Sequence, residues 1–236
     1  MLREQLIKLS PLRVLEKSIN GGLGPGNLGM FTARKGVGKT AALVHVAVDK
    51  LLRDEKVLHL SFADNPRHIE HWYKQVFNEI AKSYKLENVL ENEQHVIRNR
   101  LIVHISKKNA VKDHIENTIK KCVEAAQFTP SMLIIDGFSF SEHSKDDFMF
   151  WKELSQKLST EIWFSATLHR HNLEFDDQGI PSPASEVKDI FSVIIMLEPL
   201  EDYIDLKLLK DHDNPDIDKL KLKLNPKTML IANHRV

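Results

Sequence analysis

Apolar residues recur along the chain in two alternating rhythms. Short apolar runs read as strands: "NLGMFTA" (Asn27 to Ala33), a buried one entered from a turn, "KVLHLSF" (Lys56 to Phe62), "RLIVHIS" (Arg100 to Ser106), "SMLIIDG" (Ser131 to Gly137), fully buried, "EIWFSAT" (Glu161 to Thr167) and "SVIIML" (Ser192 to Leu197). Between them the spacing turns helical. Leu43, Val44, Ala47, Val48 and Leu51 share one helical face, as do Ile69, Trp72, Val76 and Ile80. Val111, Ile115, Ile119 and Val123 mark a third helix, and Phe148, Trp151, Leu154 and Leu158 a fourth. Asn65 before Pro66 is a helix start, since the side chain caps and the proline needs no N–H partner. Repeated strand–helix units predict an α/β fold with a mostly parallel central sheet flanked by helices. The last two runs, "YIDLKLLK" (Tyr203 to Lys210) and "KLKLKL" (Lys219 to Leu224), alternate apolar and polar residues. They predict a C-terminal antiparallel hairpin closing the sheet edge. No repeat or linker divides the chain, so the expectation is one domain over residues 1–236, with residues 1–20 as a lead-in segment.

Composition narrows the functional classes. With 236 residues and 42% hydrophobic content, one large core can form. Thirty-three basic and 33 acidic residues cancel, so no global field draws the chain to nucleic acid or an anionic membrane. The lone Cys122 excludes an internal disulfide, and charges interrupt every apolar run of "MLREQLIKLSPLRVLEKS". Neither signal peptide nor spanning helix is expected, and a cytoplasmic location follows as the expectation.

The stretch "ARKGVGKT" carries the chemistry: Ala33, Arg34, Lys35, Gly36, Val37, Gly38, Lys39 and Thr40. It matches the phosphate-binding pattern G-x-x-x-x-G-K-[ST] except at its first position, where Ala33 replaces glycine. Alanine is tolerated there if its φ is negative. The loop lies between a predicted strand and a predicted helix. A helix start offers free N–H donors and about half a positive charge to an anion. Gly36 and Gly38 let the backbone curl, Lys39 meets the outer phosphates, and the Thr40 hydroxyl is an oxygen ligand for Mg²⁺. Asp136 ends the apolar run Met132 to Ile135, placing a carboxylate at the carboxyl end of a buried strand, where α/β sheets hold ligands. It completes the expected metal site with Thr40.

Together, four pieces resemble the RecA superfamily of P-loop ATPases, nearest its KaiC-like and hexameric-helicase-like branches. They are "INGGLGPGNLGMFTARKGVGKT", "EKVLHLSF", "MLIIDG" and "ASEVKDIFSVIIML". The resemblance implies a RecA-like fold, ATP with Mg²⁺ as ligands, and a homo-oligomer, ring or filament, with nucleotide between subunits. It makes Lys39 and Asp136 catalytic candidates. Relatives carry a catalytic glutamate just after the second strand; Ala63 stands there, with Asp64 beside it as the substitute. For sensing the γ-phosphate the chain offers Ser165, Thr167 or His169. A late basic pair that acts on a neighbour's nucleotide falls on Lys210 and His212. The segment that faces DNA in relatives, "HRHNLEFDDQGIPSPAS", sets Arg170 against Glu174, Asp176 and Asp177, which disfavours DNA.

The resemblance therefore implies a slow or partner-stimulated ATPase. The alternative is a non-hydrolysing module that changes assembly or partner contacts on binding ATP. A DNA-acting recombinase or helicase and a small-molecule kinase rank below both. Other signals carry less. His68 and His71 are read as exposed helix histidines, "DHDNPDID" as a turn lacking the residues of a calcium loop, and Trp72, Tyr73, Phe148 and Trp151 as core.

Overall fold

The computed structural model describes residues 1–168, 174–217 and 219–234. After two short helices, α1 (Arg3–Leu9) and α2 (Leu12–Ser18), come β1 (Leu28–Ala33) and α3 (Lys39–Leu52). They are followed by β2 (Val57–Ser61), α4 (Pro66–Tyr84), α5 (Val89–Arg98), β3 (Arg100–His104), α6 (Lys112–Glu124), β4 (Met132–Asp136), α7 (Lys145–Lys157) and β5 (Glu161–Thr167). The remainder is strand: β6 (Val193–Pro199), β7 (Ile204–Asp211), β8 (Leu222–Leu224) and β9 (Ile231–Asn233).

These strands form one nine-stranded sheet in the order β3-β2-β4-β5-β1-β6-β7-β8-β9. Every pairing from β3 through β6 is parallel, and β6 to β9 are antiparallel. Alternate residues of each parallel strand serve two cores. Met132 and Ile134 face the layer of α1 to α5, while Leu133 and Ile135 face α6 and α7. That double burial is why these strands are continuous apolar runs. The fold is thus the expected α/β architecture, a mostly parallel sheet flanked by helices with a C-terminal antiparallel hairpin.

Several details differ from the sequence expectation. Residues 1–20, expected as a lead-in, form α1 and α2, which bury Leu6, Leu12 and Leu15 against the core. Helix α5 was not foreseen; only Asn92 and Val96 of it are buried, too few for a stripe. In α4 the inward aromatic is Tyr73, fully buried, while Trp72 is only partly covered. In α6 the exposed Val111 precedes the helix, and Cys122, not Val123, is buried. β7 and β8 pair as expected, Ile204 opposite Leu224, but β9 lies outside them and takes the edge. Among the described residues, no helix is long and apolar enough to cross a membrane.

Candidate nucleotide site

The carboxyl ends of β1, β2, β4 and β5 converge, because parallel register sets Ala33 beside Thr167 and Ser61 beside Asp136. β1 ends at the buried Ala33, and residues 34 to 36 are exposed before the chain turns into α3. Gly36 has φ +85° and Gly38 φ +116°, left-handed conformations that residues with a Cβ rarely adopt. Gly38 is the N-cap of α3, and no side chain caps that end. The helix therefore presents its amino end and positive dipole to the exposed loop. On the opposite side of Gly38 the C-terminal hairpin closes in: a Cβ built there would lie 2.6 Å from Leu224 Cδ2.

Lys39 is folded beneath the loop. Its Nζ donates to the carbonyls of Ala33 (3.0 Å) and Arg34 (3.1 Å). Burial lowers its pKa to about 8, with nearby Asp136 opposing the shift. An anion in the loop would favour the charged ammonium. Thr40 Oγ1 donates to Asp136 Oδ2 at 2.8 Å, and Ser165 Oγ donates to Asp136 Oδ1 at 2.6 Å. Ser165 is itself oriented by the N–H of Gly137, 2.9 Å from its Oγ. Each oxygen of the buried carboxylate thus receives one hydroxyl, which fixes the plane of the group.

Hydroxyl and carboxylate together are hard oxygen donors, the chemistry Mg²⁺ selects, and two protein ligands suffice where phosphates and water supply the rest. The residues fit such a cation. No group of three or more His, Cys, Asp or Glu suited to a metal occurs among the described residues. His68 and His71 are exposed, as expected.

The remaining candidates are placed less directly. Ala63 abuts Gly137: a Cβ on that glycine would lie 2.6 Å from the Ala63 methyl. The position after β2 is therefore next to Asp136 but carries no proton acceptor. Asp64 turns the other way, its carboxylate 3.8 Å from His68 Nε2, while Ser61 Oγ bonds its backbone. Thr167 ends β5 exposed beside Ala33. His169 and Arg170 lie outside the described residues.

Lys210 and His212 sit at the far end of the sheet. The His212 N–H donates to the Ser192 carbonyl, and Ser192 in turn donates to Leu28 at the start of β1. The glycine loop leaves the other end of that six-residue strand, about 20 Å away at the usual rise. Lys210 Nζ donates to the Lys188 carbonyl at 2.7 Å, and the ring nitrogens of His212 meet Asp211 Oδ1 (2.8 Å) and the Leu23 carbonyl (3.2 Å). Neither can serve its own chain's loop.

Sequence reading missed the partnership of Ser165 with Asp136 and the buried His59. Its signal was a histidine set among Val57, Leu58 and Leu60 in a strand buried on both faces.

A strand, a glycine loop with a buried lysine, a helix start, and an aspartate bonded to the loop's threonine define a P-loop nucleotide-binding fold. The sequence profile of the AAA domain matches residues 4–148, and the chain belongs to that family, a P-loop NTPase-like group related to RecA. No curated protein matches the chain. Membership makes it a P-loop ATPase in general class, a class that takes nucleotide and usually Mg²⁺.

Proposed function

We propose that the protein binds Mg·ATP as a RecA/KaiC-like unit, and that its hydrolysis is slow or stimulated by a partner. In this reading Gly36 to Thr40 hold the phosphates through backbone N–H groups, Lys39 leaves its loop carbonyls for the outer phosphates, and Thr40 and Asp136 hold the cation. The cation supplies charge neutralisation on the phosphates. The observation that carries the reading is the Thr40–Asp136–Ser165 hydrogen-bonded set at the mouth of α3.

Slow turnover follows from Ala63, because the position next to Asp136 cannot accept a proton from water, and Asp64 faces His68 instead. The same observation supports a second reading, a non-hydrolysing module whose assembly or contacts respond to ATP. In either case we infer a single domain acting in a ring or filament. Lys210, at the sheet end remote from its own loop, is the better candidate to reach a neighbour's nucleotide, since His212 has both nitrogens engaged. DNA is not the favoured partner: the segment after β5 carries Glu174, Asp176 and Asp177, and the cation Lys188 is spent on Asp176 at 2.7 Å.

Calorimetric titration of Mg·ATP into wild type and Lys39→Ala tests the binding. Tight binding lost in the variant is expected; equal binding by both, or by neither, overturns the site. A multiple-turnover assay then separates the two readings, since several ATP hydrolysed per chain, abolished by Lys39→Ala, excludes the purely binding module.

A further inference from the structure

His59 lies in the middle of β2 with no exposed surface. The β2–β4 register places Ser61 opposite Asp136, so His59 is one pleat behind on the same face. Its Nδ1 is 3.2 Å from the Tyr73 hydroxyl, and its Nε2 is 3.9 Å from Asp136 Oδ2. Nε2 is buried and has no hydrogen-bond partner. Buried polar atoms without partners are rare and call for a reason.

The tautomer follows from the neighbours. Burial raises the pKa of Tyr73 and lowers that of His59, so the phenol keeps its proton and the imidazole is neutral. Arg100, stacked 4.4 Å above the Tyr73 ring, disfavours a second positive charge on the imidazole. With Nε2 facing carboxylate lone pairs, the favourable arrangement has Tyr73 donating to Nδ1 and the imidazole proton on Nε2, aimed at Asp136. A separation of 3.9 Å is too long for a hydrogen bond and too short to admit a bridging water. A shift of about 1 Å closes it, the kind of tightening that ligand-free sites undergo on loading.

We propose that His59 is a positioning residue for Asp136: its Nε2–H is a third donor to the carboxylate, closing onto Oδ2 when nucleotide and cation fill the site. Thr40 and Ser165 fix the carboxylate from the loop and from β5. His59 braces it from β2, and Tyr73 holds the brace in its tautomer. Outer donors of this kind set the orientation and basicity of metal-side carboxylates. The role in loading rests on the nucleotide reading above, whereas the tautomer and the reach toward Asp136 do not.

Nitrogen-resolved NMR of the imidazole tests the second part without nucleotide. The proton is expected on Nε2 in wild type. In Thr40→Val, where Oδ2 has lost its hydroxyl donor, that resonance moves downfield, and in Asp136→Asn it moves upfield. A proton on Nδ1, or a resonance unmoved in both variants, overturns the proposal. Titration of ADP with and without Mg²⁺ tests the first part. His59→Phe is expected to lose roughly tenfold in the Mg²⁺-dependent part of the affinity. Its Mg²⁺-free affinity stays unchanged, and His59→Gln, which keeps a donor, recovers most of the loss. A folded His59→Phe with wild-type Mg²⁺ dependence overturns the brace. Should His59→Phe not fold, His59→Gln and the spectra decide. Should wild type bind no nucleotide at all, the functional reading falls and the spectra alone judge His59.

Discussion

Acid should loosen this protein through one buried histidine. His45 lies on α3, fully enclosed, and its Nδ1 accepts the backbone N–H of Ile231 at 2.9 Å, tying β9 to the helix that starts at the glycine loop. Burial lowers its pKa from 6.5 to about 4, with Asp49 opposing. A histidine whose folded pKa is depressed binds its proton more readily in the unfolded chain. Its contribution to stability is therefore complete above pH 6.5 and is lost as pH falls toward 4. At 1.36 kcal/mol per unit, moving from pH 7 to pH 5 removes about 2 kcal/mol. The perturbation that isolates this is His45→Asn, which keeps an acceptor near Nδ1 but cannot titrate. Its absolute stability will be lower because the side chain is smaller, so the slope with pH is what matters. Urea unfolding of both proteins from pH 7 to pH 5 should show wild type losing about 2 kcal/mol more than the variant. His59 titrates alike in both and cancels. The protection factor at Ile231, taken relative to the slower intrinsic exchange in acid, should fall over the same range in wild type, because the opened chain binds the proton that the folded His45 refuses. Parallel stability curves for the two proteins would refute the argument.

Three further outcomes follow from single positions. Gly38→Ala should destabilise by about 1–2 kcal/mol through its left-handed backbone. Adding Leu224→Ala should restore little, since that methyl can turn aside; full recovery in chemical denaturation would place the penalty in the contact instead. Lys50→Met removes the cation 3.3 Å from the buried Glu161, and the loss should be about 3 kcal/mol at pH 7. Burial already raises the Glu161 pKa, so the folded state gains relative to the unfolded as pH falls, and the loss should shrink at pH 5; equal losses would contradict the buried-charge account. Ala63→Glu restores a proton acceptor beside Gly137 and should raise ATP turnover on the order of a hundredfold. Unchanged turnover with intact Mg·ATP binding would show that this position is not what limits hydrolysis.

Local pattern carried the architecture because strands buried on both faces must be continuously apolar, and β1, β2, β4, β5 and β6 obey that rule within a residue or two. Helix α5 escaped notice for the converse reason: Leu90 is 78% exposed, so its apolar letters do not mark the buried face. The shape of the loop was legible, since glycine placement states directly where the backbone turns left-handed, at Gly36 and Gly38. Asp136 was legible as a carboxylate ending a strand. Thr40 was its expected companion, but the hydroxyl of Ser165 and the ring of His59 beside it were not foreseen. Ser165, marked only as a candidate for sensing the γ-phosphate, and His59, an ordinary letter in its strand, meet Asp136 because the strand order places β5 and β2 on either side of β4. His45 is a still longer inference, for its partner is a main-chain N–H 186 positions away whose identity no side chain reveals. Chemistry that depends on one segment's geometry can be read from sequence, whereas chemistry assembled across strands requires the register. The brace on Asp136 is of the second kind: a shift of one residue between β2 and β4 would turn His59 to the other face of the sheet and leave the carboxylate with Thr40 and Ser165 alone.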